Sequence, residues 1–70
     1  MTNAEKLRLI ERVLGLASGS LAEDTQLNTL PAWDSLTILN LQIELTALRP
    51  DMQFDDLYQC DTAGEICAMI

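Results

Sequence analysis

Seventy residues, 49% of them hydrophobic and none of them histidine, place the chain near the lower size limit for a fold without metal or disulfides, with room for one small core. The formal net charge of −7 sets four bases against eleven acids, a balance that disfavours nucleic acid and anionic membrane as partners and favours basic protein patches. Only three aromatics are present, and β-branched residues are scattered rather than alternating, so nothing argues for a sheet; abundant leucine suits helices.

Thr2 with Glu5 three positions later forms a capping box, and Leu7, Ile10, Val13, Leu14 and Ala17 follow at helical spacing. This predicts an amphipathic first helix ending at Gly15 or at Ser18-Gly19-Ser20, with Lys6, Arg8 and Arg12 on a solvated face. Arg49 is the one base beyond residue 12, so the rest of the chain is strongly acidic. From Ser18 to Asp34 the sequence is too polar and interrupted for regular structure. Leu21, Leu27 and Leu30 recur within it as anchors for a long loop, and Glu23-Asp24-Thr25 suits a turn or a short helical start.

Pro31 cannot sit inside a helix and pushes the residue before it towards extended geometry, so the segment up to Trp33 reads as loop. Asp34 or Ser35 supplies the N-cap of a central helix whose periodicity runs from Leu36 to about Leu48, roughly 20 Å. At about 100° per residue, Ile38, Leu41, Leu45 and Leu48 fall on one side and Leu36, Leu39, Ile43 and Ala47 almost opposite. The Ile38 stripe is assigned to the core. The Leu36 stripe is assigned to a partly exposed surface beside Ser35, where docking would be apolar and only weakly salt-dependent.

Arg49-Pro50-Asp51 stops the helix. Phe54 is the next expected core residue, with Asp55 or Asp56 capping a short turn that carries Leu57 and Tyr58. Thr62 and Glu65 form a second capping box leading into Ile66, Cys67, Met69 and Ile70, a helix too brief to stand without packing. With no internal repeat and no linker, residues 1–70 read as a single all-α domain, a bundle of three longer helices and a short third one.

Catalytic parts are scarce. The acid pairs Glu23-Asp24 and Asp55-Asp56 are adjacent residues in polar segments, and there is no lysine after Lys6 and no Gly-rich phosphate loop. Calcium-loop spacing is absent, and Cys60 and Cys67, seven apart without histidine, make no zinc or redox motif, so no metal site is expected. Both cysteines read as small buried hydrophobes of a reducing compartment. Cys67 is expected on the packed face of the last helix near Ile66 and Ile70, and Cys60 close to where that helix starts. Without a signal-peptide or membrane-spanning run, a cytoplasmic protein is expected.

Trp33-Asp34-Ser35-Leu36, followed by Leu39-Asn40-Leu41, resembles the modification site of acyl carrier proteins, whose Asp-Ser-Leu serine carries 4′-phosphopantetheine. The resemblance extends over nearly the whole chain: a leading helix, a long loop with spaced leucines, the helix after Asp-Ser-Leu, and a closing Thr62-Ala63-Gly64-Glu65-Ile66. It implies a small four-helix bundle of that type. It further implies that Ser35 Oγ receives the arm from coenzyme A through a phosphopantetheinyl transferase, recognised through Asp34 and Leu36, and that the arm's thiol carries acyl groups as thioesters. The chain would then be a non-catalytic monomer handled by acyl- or aminoacyl-loading and processing enzymes through Leu36, Leu39, Asn40 and Ile43. Two departures qualify the likeness. Many carriers have several acids along the helix after the serine, where this chain has only Glu44, and peptidyl carriers show a Gly-Gly pair where this chain has Ala32-Trp33-Asp34. An acyl cargo is therefore favoured over an aminoacyl or peptidyl one, and an unmodified helical adaptor is the alternative from a different class.

Overall fold

The capping box at the start of the chain forms as its spacing requires: Glu5 N–H donates to Thr2 Oγ1 at 3.2 Å and Thr2 N–H to Glu5 Oε1 at 3.1 Å. From it runs the first helix, α1 (Asn3–Leu14). In this computed structural model, which describes residues 1–70, α1 is followed by α2 (Ser35–Leu45), α3 (Phe54–Tyr58) and α4 (Ala63–Met69), with a single 3-10 turn at Leu27–Thr29 and no strand. α2 packs against α1 and α3, and α4 against α1. Leu7, Ile10 and Leu14 of α1, Ile38, Leu41 and Leu45 of α2, Leu57 of α3 and Ala63, Ile66 and Cys67 of α4 meet in one core. No helix is long and apolar enough to cross a membrane.

Gly15 ends α1 in the left-handed region at φ 73°, where a side chain would be strained. Ala17, which continues the apolar spacing, therefore lies outside the helix and is exposed. The long loop is anchored by Leu21 and Leu27, both buried, and by half-buried Leu30. Its backbone is also tied to the start of α4: Leu27 N–H donates to Asp61 O (2.8 Å), Ala63 N–H to Thr25 O (3.2 Å) and Gly64 N–H to Glu23 O (2.8 Å). The loop thus accepts amide protons that a helix start leaves unpaired.

The approach at Gly64 is close enough to exclude a side chain. A Cβ there would sit 2.9 Å from Glu23 O and 3.2 Å from Glu23 Cβ, and backbone cannot swing aside. Gly64→Ala, which would gain about 1 kcal/mol in an open helix, is expected to destabilise instead, by about 1 to 3 kcal/mol as overpacking does. A urea midpoint that rises in Gly64→Ala would contradict the contact.

Several expectations are corrected by the packing. α2 ends at Leu45, and Leu48, assigned to the core stripe, is 46% exposed. Ala47 N–H bonds to Glu44 O and Leu48 N–H to Leu45 O; this tighter winding of about 3 residues per turn rotates Leu48 off the stripe before Pro50. Met52 is buried in the position expected of Phe54, which is only half-buried and stacks on the exposed Tyr58 ring at 5.8 Å between centroids. Gln53, not Asp55 or Asp56, precedes α3 as its cap residue, and Asp56 instead accepts the Gln53 N–H at 2.9 Å. The second capping box is half formed: Thr62 Oγ1 accepts from Glu65 N–H (3.4 Å), but the Glu65 carboxylate takes the N–H of Asp61 (3.3 Å).

The bases of α1 are not merely a solvated face. Lys6 Nζ donates to Cys67 O at 3.0 Å and also to Ile70 O, while Arg49 Nη1 donates to Met69 O at 3.0 Å. Two cations thus occupy the carbonyl end of α4, the negative end of its dipole. Arg8 Nε pairs at 2.6 Å with Glu11, a carboxylate only 2% exposed. Glu11 also accepts the N–H groups of Gly19 (3.2 Å) and Leu21 (2.8 Å), pinning the start of the loop to α1.

Candidate functional site

The loop delivers Trp33 and Asp34 to the mouth of α2 through two tight turns, Trp33 N–H to Leu30 O (3.0 Å) and Asp34 N–H to Ala32 O (3.1 Å). Of the two capping candidates the structure selects Asp34, whose Oδ1 accepts Thr37 N–H at 2.9 Å. Thr37 reciprocates, its hydroxyl accepting Asp34 N–H at 3.2 Å and donating to Ala32 O. Thr37 is a further residue of this site, beyond Asp34, Ser35 and Leu36. Its signal was present as the three-residue spacing from Asp34, with a hydroxyl in place of the usual Glu or Gln.

Capping by Asp34 leaves Ser35 as the first residue inside the helix, exposed and with its hydroxyl outside the capping hydrogen bonds. The first-turn N–H groups and the positive end of the α2 dipole lie beside it, where a phosphate ester on Oγ is favoured electrostatically. The Thr37 N–H, with help from the Thr37 hydroxyl and the Leu36 N–H, outweighs the opposing effect of desolvation and holds the Asp34 carboxyl below its ordinary value. It is therefore a carboxylate at neutral pH.

Ser35 opens onto a depression of about 450 Å³ bounded by Asn28 and Trp33 from the loop, Asp34 and Ile38 around the start of α2, and Tyr58, Cys60 and Asp61 from the α3 end. Both polar and apolar side chains line it. No basic side chain lines it, and no group of three or more potential metal ligands converges anywhere in the chain. The residues fit a covalently attached, elongated polar arm: an exposed hydroxyl, a helix start to offset phosphate charge, and an adjoining depression that mixes amide, phenol and apolar surface.

Of the residues singled out from sequence, Asp34, Ser35 and Leu36 stand together at the start of α2. Leu36, Leu39 and Ile43 are 67%, 44% and 58% exposed, and Asn40 beside them is exposed as well. Directly behind them Ile38, Leu41 and Leu45 are buried. Asn28, Tyr58, Cys60 and Asp61 join the site only through the fold, being separated from Ser35 in sequence.

Cys60 and Cys67 are free and buried. Burial, reinforced by the carboxylates of Glu65, Asp56 and Asp61, pushes the Cys60 thiol up to about 11; burial also raises Cys67, with the Glu23 charge acting in the same direction. Both are expected to label slowly with a maleimide at neutral pH in the native chain and rapidly in urea, since the thiolate is the reactive form. Rapid native labelling of both would contradict the packing.

Compared with known proteins, the chain matches no family model, no curated protein and no solved structure.

Proposed function

We propose that this chain is a carrier protein of the acyl-carrier type, with Ser35 Oγ as the attachment point for 4′-phosphopantetheine donated by coenzyme A through a phosphopantetheinyl transferase. The observation that carries the reading is the placement of Ser35: first residue of α2, exposed, adjacent to the Asp34 cap and excluded from its hydrogen bonds. The four-helix arrangement supports it. When attached, the group supplies a thiol that holds acyl cargo as a thioester. The chain's own residues do the rest. The α2 start offsets phosphate charge, Asp34 holds Ser35 at the helix mouth through its bond to Thr37, and Asn28, Tyr58 and Ile38 provide surface along which an arm can lie. Cys60, in the same depression, stays a neutral thiol and so does not compete for the thioester.

Intact mass after incubation with a phosphopantetheinyl transferase and coenzyme A tests this directly. The wild-type chain is expected to gain one phosphopantetheine and Ser35→Ala none. Because Asp34 rather than Ser35 caps α2, Ser35→Ala should change stability by less than about 0.5 kcal/mol. A Ser35→Ala chain that still gained the group would sink the assignment. The exposed Leu36, Leu39 and Ile43 favour, as a second reading, an unmodified adaptor that docks by this face; absence of any mass gain in the wild type would select it.

A further inference from the structure

The start of α2 offers two adjacent residues able to cap it, Asp34 and Ser35, and aspartate and serine cap helices about equally well. The choice decides what Ser35 can do. Were Ser35 the cap, its backbone would be extended and its hydroxyl would accept the N–H of Thr37 or Ile38, engaging the oxygen on which loading depends. With Asp34 as the cap, Ser35 falls inside the helix and its hydroxyl stays out of the capping bonds. What separates the two starts is the residue three positions after each. Three after Asp34 stands Thr37, whose hydroxyl accepts the Asp34 N–H at 3.2 Å; three after Ser35 stands Ile38, apolar, buried and unable to return such a bond.

We infer that Thr37 is a positioning residue for loading: its hydroxyl fixes the start of α2 at Asp34 and thereby keeps Ser35 Oγ free. The inference rests on the carrier reading, under which that oxygen is the attachment point. Thr37 acts on both sides of the cap. Its hydroxyl proton goes to Ala32 O, the nearest of three acceptors, with Asp34 O and Asp34 Oδ1 at 3.1 and 3.2 Å. The bond to Ala32 O is half-buried, where water competes less for it. The same oxygen accepts the Asp34 N–H, and the Thr37 N–H donates to Asp34 Oδ1 at 2.9 Å. The turn from Ala32 to Asp34 is thus tied to the first turn of α2. Behind it the Ile38 N–H donates to Asp34 O at 2.9 Å; a start at Ser35 would turn that N–H towards Ser35 Oγ instead.

Removing the hydroxyl tests it. In Thr37→Val, close to threonine in shape, and in Thr37→Ala, the reciprocal bond is lost and Asp34 and Ser35 compete as caps; alanine, the stronger helix former, keeps the chain folded should valine strain it. Loading by a phosphopantetheinyl transferase with coenzyme A, followed by intact mass over time, should lose about three- to tenfold in kcat in both variants, the worth of one hydrogen bond. KM for the chain should stay unchanged, because either start leaves the rest of α2 in place. Thr37→Ser should restore the wild-type kcat. The Cα and Cβ chemical shifts of Ser35, read by NMR on the chain alone, should be helical in the wild type and in Thr37→Ser and move towards extended values in Thr37→Val and Thr37→Ala. A residue that only stabilised the helix would lower the urea midpoint and leave those shifts and the kcat of the folded chain in place; that result overturns the inference, as does a kcat loss that Thr37→Ser fails to restore. The carrier reading fails separately. A wild type that takes no group while the Ser35 shifts move as expected removes the carrier and leaves the hold of Thr37 on Ser35, whereas a wild type that loads no faster than Thr37→Val removes the hold and leaves the carrier.

Discussion

Leu41→Ala is expected to lower stability by about 2 to 5 kcal/mol, the range for truncating a fully buried leucine, whereas Leu39→Ser and Ile43→Ser, two residues to either side, should each stay within about 1 kcal/mol of wild type. The contrast follows from burial along one helix: Leu41 is fully enclosed, and its neighbours on the opposite face are 44% and 58% exposed. The Leu41 loss is large relative to the whole. At about 0.05–0.15 kcal/mol per residue, a chain of this size is held by only about 4 to 10 kcal/mol, so Leu41→Ala should be partly unfolded at 37 °C. Urea midpoints of the three variants check it. Should Leu39→Ser and Ile43→Ser fall as far as Leu41→Ala, the outer stripe is core and no docking surface remains; should they stay folded, loading or acyl transfer is expected to slow in both.

Glu11→Gln is expected to be the most damaging of the charge-removing substitutions, and to change how stability depends on acid. Burial pushes the Glu11 carboxyl up, but the N–H groups of Leu21 and Gly19 and the Arg8 guanidinium outweigh it and leave the group below its ordinary value of 4.5. A carboxyl whose value is lower in the folded chain than in the unfolded one stabilises the fold above the unfolded value, and that contribution is lost as pH falls through the folded value. Wild-type stability should therefore be flat at neutral pH and decline below about pH 4.5, with Glu5 and Asp34 contributing in the same direction. Gln keeps the shape and one acceptor, but its amide turns a donor toward an N–H that needs an acceptor and leaves Arg8 without a counter-ion. Glu11→Gln should accordingly be less stable at pH 7, while its decline below pH 4.5 is shallower. Parallel urea-midpoint profiles from pH 7 to pH 3 for the two chains would contradict the pinning role.

The carboxylate at Glu11 shows why some of this architecture was illegible beforehand. In sequence it is one acid of an amphipathic helix, placed among bases at i−3 and i+1, and a solvated face was the natural expectation. What buries it is the return of Gly19 and Leu21 over α1, a contact between segments whose only local sign is a glycine in a polar stretch. Thr37 differs, since its role was written in the spacing from Asp34. Leu48 and Met52 lie in between: Leu48 ends the turn before Pro50 and is exposed, and Met52 follows the turn at Pro50–Asp51, closed by its own N–H to Arg49 O, and is buried.

The sequence by itself determined the helices with local signals: the Thr2–Glu5 box opening α1, a cap at Asp34 or Ser35 opening α2, Pro50 closing the region after it, and the separation of the Ile38 and Leu36 stripes; the choice of Gly15 over Ser18–Ser20 and of Asp34 over Ser35 came with the structure. These depend on bonds within a few residues and on a 100° periodicity, which any chain carries in its order. Only the tertiary structure decided which stripe is covered, because burial depends on whether another element arrives, and α1 and α3 arrive at one side of α2 alone. It likewise decided that Lys6 and Arg49 close the end of α4, that Glu11 takes the N–H groups of Gly19 and Leu21, and that Asn28, Tyr58 and Asp61 share a depression with Ser35. Those are meetings between segments separated in sequence, and that separation leaves no trace of which groups the fold brings together.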